Sequence, residues 1–70
     1  MATTGIIRDL FPDGNTGGQE GAGRVAEDGT GTIYTFLTPD DVSPSALPLS
    51  SGKKISFIGN GDEATNVQLP

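Results

Sequence analysis

Apolar residues along this chain come in short runs separated by turn-forming clusters, without the 3.6-residue rhythm of a helix. No window of the ~11 residues that such a rhythm needs escapes a glycine or a proline. The runs are rich in Ile, Val, Thr, Tyr and Phe, the composition of strands in a pleated sheet. The first is Gly5 to Phe11, closed by Pro12-Asp13-Gly14, in which proline presets φ and glycine accepts a positive one. Asn15-Thr16-Gly17-Gly18-Gln19 is loop. A second run, Gly21 to Glu27, is joined through Asp28-Gly29-Thr30-Gly31 to a third, Thr32 to Leu37, with a turn short enough for a hairpin. Thr38-Pro39-Asp40-Asp41 then has the make-up of a single helical turn: an N-cap, a first-turn proline and two carboxylates suited to the dipole. Ser45 to Ser51 connects to a fourth run, Lys53 to Ile58, and the turn Gly59-Asn60-Gly61-Asp62 leads to a fifth, Ala64 to Leu69.

Three strands, a longer crossover and two more strands are the layout of a small antiparallel Greek-key barrel, for which the five-stranded OB-fold is the common solution. The predicted class is therefore all-β, with residues 1–70 as one domain. Alternation places Ile7, Val25, Ile33, Thr35, Ile55, Phe57 and Val67 on the inner face, with Leu47 or Leu49 as a plug. A chain of 70 residues hides only around 60% of the surface its unfolded form exposes, so stability is expected to be marginal. Loss of one large core ring, as in Phe57→Ala, is expected to cost ~3 kcal/mol or more.

Composition narrows the chemistry. There is no cysteine and no histidine, so neither disulfides, thiolate metal sites nor an imidazole base can be built. Serine and threonine are plentiful but have no base to activate them, and no enzyme is expected. Four basic against nine acidic residues give a formal net charge of −5, which taken as an average repels nucleic acid and anionic membranes. No apolar run approaches the ~18 residues of a membrane span, and Met1-Ala2-Thr3-Thr4 lacks the basic start of a signal peptide. A cytoplasmic setting with no cofactor, membrane or small-molecule substrate is the expectation.

In this order the runs resemble the cold-shock domain family over nearly the whole chain. Gly5-Ile6-Ile7-Arg8-Asp9-Leu10-Phe11 stands where that family opens with Gly-x-Val-Lys-Trp-Phe-Asn. Glu20-Gly21-Ala22-Gly23-Arg24-Val25 keeps the glycine spacing of its first nucleic-acid motif, Lys-Gly-Phe-Gly-Phe-Ile. Ile33-Tyr34-Thr35-Phe36-Leu37 is similar to its second, Val-Phe-Val-His-Phe. Gly52-Lys53-Lys54-Ile55-Ser56-Phe57 and Ala64-Thr65-Asn66-Val67 match its later Gly-x-x-Val-Ser-Phe and closing Ala-x-Asn-Val. The resemblance implies an OB barrel that binds single strands on exposed aromatics of its first three strands. The departures fall on that surface: Asp9 occupies the Trp position, Leu10 the next Phe, Ala22 and Arg24 the two Phe of the first motif, and Glu20 its Lys. Each base stacked on an aromatic contributes roughly 1–3 kcal/mol, so most of the affinity implied by the family is expected to be lost.

The face left for binding is Arg8, Leu10, Arg24, Tyr34, Phe36 and Leu37. Tyr34 and Phe36 alternate on one strand and are read as sharing the exposed side. There they are stacking platforms for nucleic acid, a contact for a protein partner, or cover for the barrel. Arg8 and Arg24 hold a phosphate or pair with Asp9 and Glu20 as surface ion pairs worth ~0–1 kcal/mol. Gly21 and Gly23 have no helix behind them to make a phosphate cradle and are read as serving strand curvature and a bulge. Asp40-Asp41, Asp28 and Asp62-Glu63 lack the alternating ligands of a calcium loop. Two readings of function remain: a degraded cold-shock-like module acting through protein contacts, and weak binding of single-stranded RNA or DNA on Tyr34, Phe36, Arg24 and Arg8.

Overall fold

A computed structural model describes residues 2–70. Five strands, β1 (Ala2–Phe11), β2 (Gly21–Glu27), β3 (Ile33–Thr38), β4 (Lys54–Asn60) and β5 (Glu63–Gln68), close into a barrel in the order β1-β2-β3-β5-β4. This is the small all-β, OB-like barrel that the runs predict. β1 begins earlier than its run because its first half pairs with β4 (Ala2↔Ile58 to Ile6↔Lys54) while Gly5↔Glu27 to Phe11↔Ala22 pair it with β2, so Gly5 and Ile6 are bonded on both sides. One long strand thus serves two neighbours, as closing a narrow barrel requires. The contact that completes the ring, β3 to β5, is parallel and joins Thr35 to Glu63; the other strand pairs are antiparallel.

Two irregularities turn the strands. In β1 the register slips between Ile7 and Asp9, leaving Arg8 as an extra residue whose carbonyl accepts a hydrogen bond from Ser51 Oγ at 2.6 Å. In β5 a slip accompanies Asn66, at φ 54°, a left-handed conformation that asparagine tolerates better than most side chains. The expected helical turn at Thr38 is absent. Thr38 ends β3, residues 39–41 form a plain turn, and the one short helical element among the described residues is a 3₁₀ turn at Pro44–Ala46. Among the described residues, no helix is long and apolar enough to cross a membrane.

The core gathers Ile7, Val25, Phe36, Val42, Ala46, Leu49, Ile55, Phe57, Ala64 and Val67, with Leu10 and Tyr34 packed against it. Leu49, not Leu47, is the plug. β3 faces the opposite way from the expectation. Phe36 is only 1% exposed, while Ile33 and Thr35, expected inside, point out. Strand side chains alternate with a period of two, so shifting the phase by one residue exchanges the faces of the whole strand. The larger apolar payload decides the phase. Phe36 and Tyr34 fill the interior that Ile33 and Thr35 would leave loose, and Tyr34 packs at a tilt against Phe57, ring centroids 5.2 Å apart.

Gly23 makes room for this. A Cβ there would overlap the Phe36 ring and lie 2.8 Å from Leu10 Cδ2. A Cβ at Gly21 would run into the Phe11 carbonyl and the Asn15 side chain. Both glycines are thus required by close approach, whereas the bulge lies at Arg8 on the neighbouring strand.

Truncating β3 on its two faces separates these alternatives. Phe36→Ala is expected to cost about 3–5 kcal/mol in denaturant unfolding, and Leu37→Ala no more than about 0.5 kcal/mol. Equal or reversed costs would mean that β3 presents its other face to the core.

Candidate functional site: the outer face of the first three strands

The registers of β1, β2 and β3 stack three rows across the outside of the barrel. Phe11, Ala22 and Leu37 form one row, Asp9, Arg24 and Thr35 the next, and Ile6, Ala26 and Ile33 the third. Residues 22, 24 and 26 of the middle strand span about 13 Å. Small alanines sit between bulky flanks: Ile6 is 43% exposed, Phe11 47%, Ile33 39% and Leu37 53%. Scattered apolar residues are ordinary on a protein surface, but four large ones aligned on one sheet face form a patch.

The bulge at Arg8 sets which β1 residues reach this face. Without it, strict alternation from buried Ile7 would send Asp9 and Phe11 inward and Leu10 outward. The extra residue shifts the phase, so Asp9 and Phe11 emerge while Leu10 turns in against the core. Of the six residues expected on the face, Arg8, Arg24 and Leu37 are exposed. Phe36 is a core residue, and Leu10 and Tyr34 are half-buried beneath the sheet. Those three do not form part of an open stacking surface. Phe11, Ile6 and Ile33 take their place.

Position at the Phe11–Leu37 end is fixed by Asn15, a buried polar residue within the 12–19 loop. Its Nδ2 donates to the Phe11 carbonyl at 2.6 Å and to Thr38 Oγ1 at 2.9 Å, and its Oδ1 accepts from Gly17 N at 2.7 Å. One amide thereby ties the last residue of β1 to the last residue of β3. The Leu49 N–H donates to the Thr16 carbonyl at 2.6 Å and fastens the loop to the plug. Deleting such a group leaves its partners unsatisfied, and Asn15→Ala is expected to cost about 1–3 kcal/mol. Beside this end lies a cleft of about 380 Å³ lined by Glu20, Gly21, Leu37, Thr38, Pro39 and Asp40.

Electrostatics across the middle row are local. Arg24 Nε donates to Asp9 Oδ1 at 2.9 Å, and its Nη2 pairs with Asp9 Oδ2, giving a forked ion pair. The guanidinium carbon also lies 5.6 Å from the Phe11 ring centroid, within cation–π range. The hydrogen bond from Arg24 is the main cause that holds the Asp9 carboxyl below its ordinary 3.8, helped by the charges of Arg24 and Arg8. On the far side, hydrogen bonds from Lys54 and Thr4 lower Asp28 in the same way. Lys53 Nζ donates to the Ala46 and Pro48 carbonyls at 2.8 and 2.9 Å and pins the crossover loop. Among the described residues, no group of three or more carboxylates is placed to hold a metal ion. Compared with family models, curated proteins and solved structures, the chain matches none.

Because both carboxyls titrate lower in the folded chain, the folded state binds fewer protons than the unfolded one as each is protonated. Their stabilisation is present above the ordinary carboxylate value and is lost as pH falls through the lowered one. A carbon-detected NMR titration is expected to show Asp9 returning towards 3.8 in Arg24→Gln with Asp28 unmoved, and the reverse in Lys54→Gln. If Asp9 stays low in Arg24→Gln, the ion pair is not its cause.

Proposed function

We propose that this chain is a non-enzymatic binding module, a cold-shock-like barrel whose outer β1–β3 face contacts another polypeptide. The observation that carries the reading is the composition of that face. Its four large exposed side chains are Ile6, Phe11, Ile33 and Leu37, of which one is aromatic. Binding of single strands draws on several aromatic platforms and on cations free to meet phosphates. Here Tyr34 and Phe36 are turned towards the core, and Arg24 is bound to Asp9 and lies near the Phe11 ring. Two apolar rows on either side of a paired arginine instead suit a protein–protein contact, where apolar side chains and arginine gather and unpaired charge is kept to the rim. With neither histidine nor cysteine in the chain, and no base beside its hydroxyls, the reading includes no catalysis. It also keeps the module in the cytoplasm, where a domain without disulfides loses nothing to reduction.

The test is a titration of the ¹⁵N-labelled protein with octamers of single-stranded DNA and RNA at low salt. The Phe11, Arg24 and Leu37 amides are expected to stay unmoved at millimolar oligonucleotide. A benzophenone side chain placed at position 37 is expected to give adducts in cells that protease removes and nuclease does not. Saturable micromolar shifts that fade with salt and vanish in Phe11→Ala would overturn the reading in favour of nucleic acid, as would nuclease-sensitive adducts.

A further inference from the structure

Resting on that reading, we infer that the partner segment is cationic. It seats a lysine or arginine in the cleft between Glu20 and Asp40 and lays an adjacent apolar side chain across Leu37 and Phe11.

The argument begins with how the chain spends its own charges. Arg24 is held by Asp9 and Lys54 by Asp28. Lys53 is turned to two backbone carbonyls. Arg8 forms no ion pair among the described residues and lies on the β1 bulge, on the far side of Asp9 from Phe11. The excess of acid that gives the net charge of −5 is thus left without cationic partners among the described residues. Part of it stands beside the apolar patch. Glu20 and Asp40 are exposed and line the cleft of about 380 Å³ whose wall includes Leu37 and Pro39. Leu37 belongs both to that wall and to the outer row with Ala22 and Phe11, so cleft and patch are continuous.

Such a site has an apolar flank for the stem of a long side chain and carboxylates for its head, which is how lysine and arginine bury their methylenes while keeping the charge solvated. Sign complementarity selects the occupant. A second copy of this chain brings the same excess of carboxylates, and nucleic acid brings phosphates; both meet Glu20 and Asp40 with like charge. A basic, apolar-flanked stretch of polypeptide meets the cleft and the patch together.

Three blocked pentapeptides test this. Each carries Leu and Phe at its second and fourth positions, and the remaining positions are all Lys, all Gln or all Glu. With the Lys peptide, the Gly21, Leu37, Thr38 and Asp40 amides are expected to shift saturably, with an affinity that falls with salt. The double variant Glu20→Gln/Asp40→Asn is expected to bind at least tenfold more weakly while keeping its unfolding midpoint. The Gln peptide is expected to be at least tenfold weaker than the Lys peptide, and the Glu peptide not to bind. Equal binding of the Lys and Gln peptides, undiminished in the double variant, would overturn the cationic partner and leave the protein-contact reading standing. Failure of the Lys peptide to move these amides would overturn the inference, as would the same shifts arising from the protein's own self-association. Failure of the underlying reading shows separately, as oligonucleotide binding on the Phe11 face.

Discussion

The ring of Phe36 crosses the middle strand where Gly23 has no side chain, and the rest of the barrel follows from that contact. A Cβ at Gly23 would overlap the ring, so the glycine and the phenylalanine specify one another. With Phe36 inside, Tyr34 must follow on the same face. It packs at a tilt against Phe57 and closes to 2.9 Å of where a Cβ at Gly59 would stand. These rings supply much of the volume that so short a chain needs to fill its interior at native density. The aromatics that a nucleic-acid-binding barrel displays outside are here consumed in holding the barrel together.

A second constraint acts through β1, which pairs with β4 along its first half and with β2 from Gly5 onward. The extra residue at Arg8 allows the bend, and Ser51 satisfies the carbonyl that the bulge frees. That bulge also exchanges Leu10 for Phe11 on the outer surface. Asn15 then locks the end of β1 to the end of β3, so that Phe11 and Leu37 flank Ala22 in a fixed row. The exposed apolar face is a by-product of closing the barrel: side chains surplus to the core emerge together on one face of the sheet.

Much of the fold can be read along the chain because the turn clusters are strong. Pro12-Asp13-Gly14, Asp28-Gly29-Thr30-Gly31 and Gly59-Asn60-Gly61-Asp62 separate runs with clear β-propensity, and the β2 boundaries coincide with their run. The face of β3 cannot be read in the same way. In Ile33-Tyr34-Thr35-Phe36-Leu37-Thr38 both alternating sets hold large apolar side chains, so period two offers two phases and only the partner across the sheet, Gly23, chooses between them. The bulge at Arg8 has no local signature, so the exposure of Phe11 escapes strict alternation. Asn15 stands in a polar, glycine-rich stretch that reads as plain loop; its burial depends on Phe11 and Thr38, one of them 23 residues away in sequence. Arg24 is legible as a surface residue because it alternates with the inward Val25, whereas Leu37 shares the undecided phase of β3 and its exposure follows only once Phe36 is inside.

The orientation of β3 is the claim on which the account turns, and solvent paramagnetic relaxation reads it directly. With a soluble gadolinium chelate added to ¹³C-labelled protein, the Ile33 and Leu37 methyls and the Phe11 ring are expected to relax strongly. The Phe36 ring is expected to be protected to the same degree as Phe57, and Tyr34 to fall between. Strong relaxation of Phe36, with the Ile33 methyls protected, would contradict the account and restore an aromatic outer face.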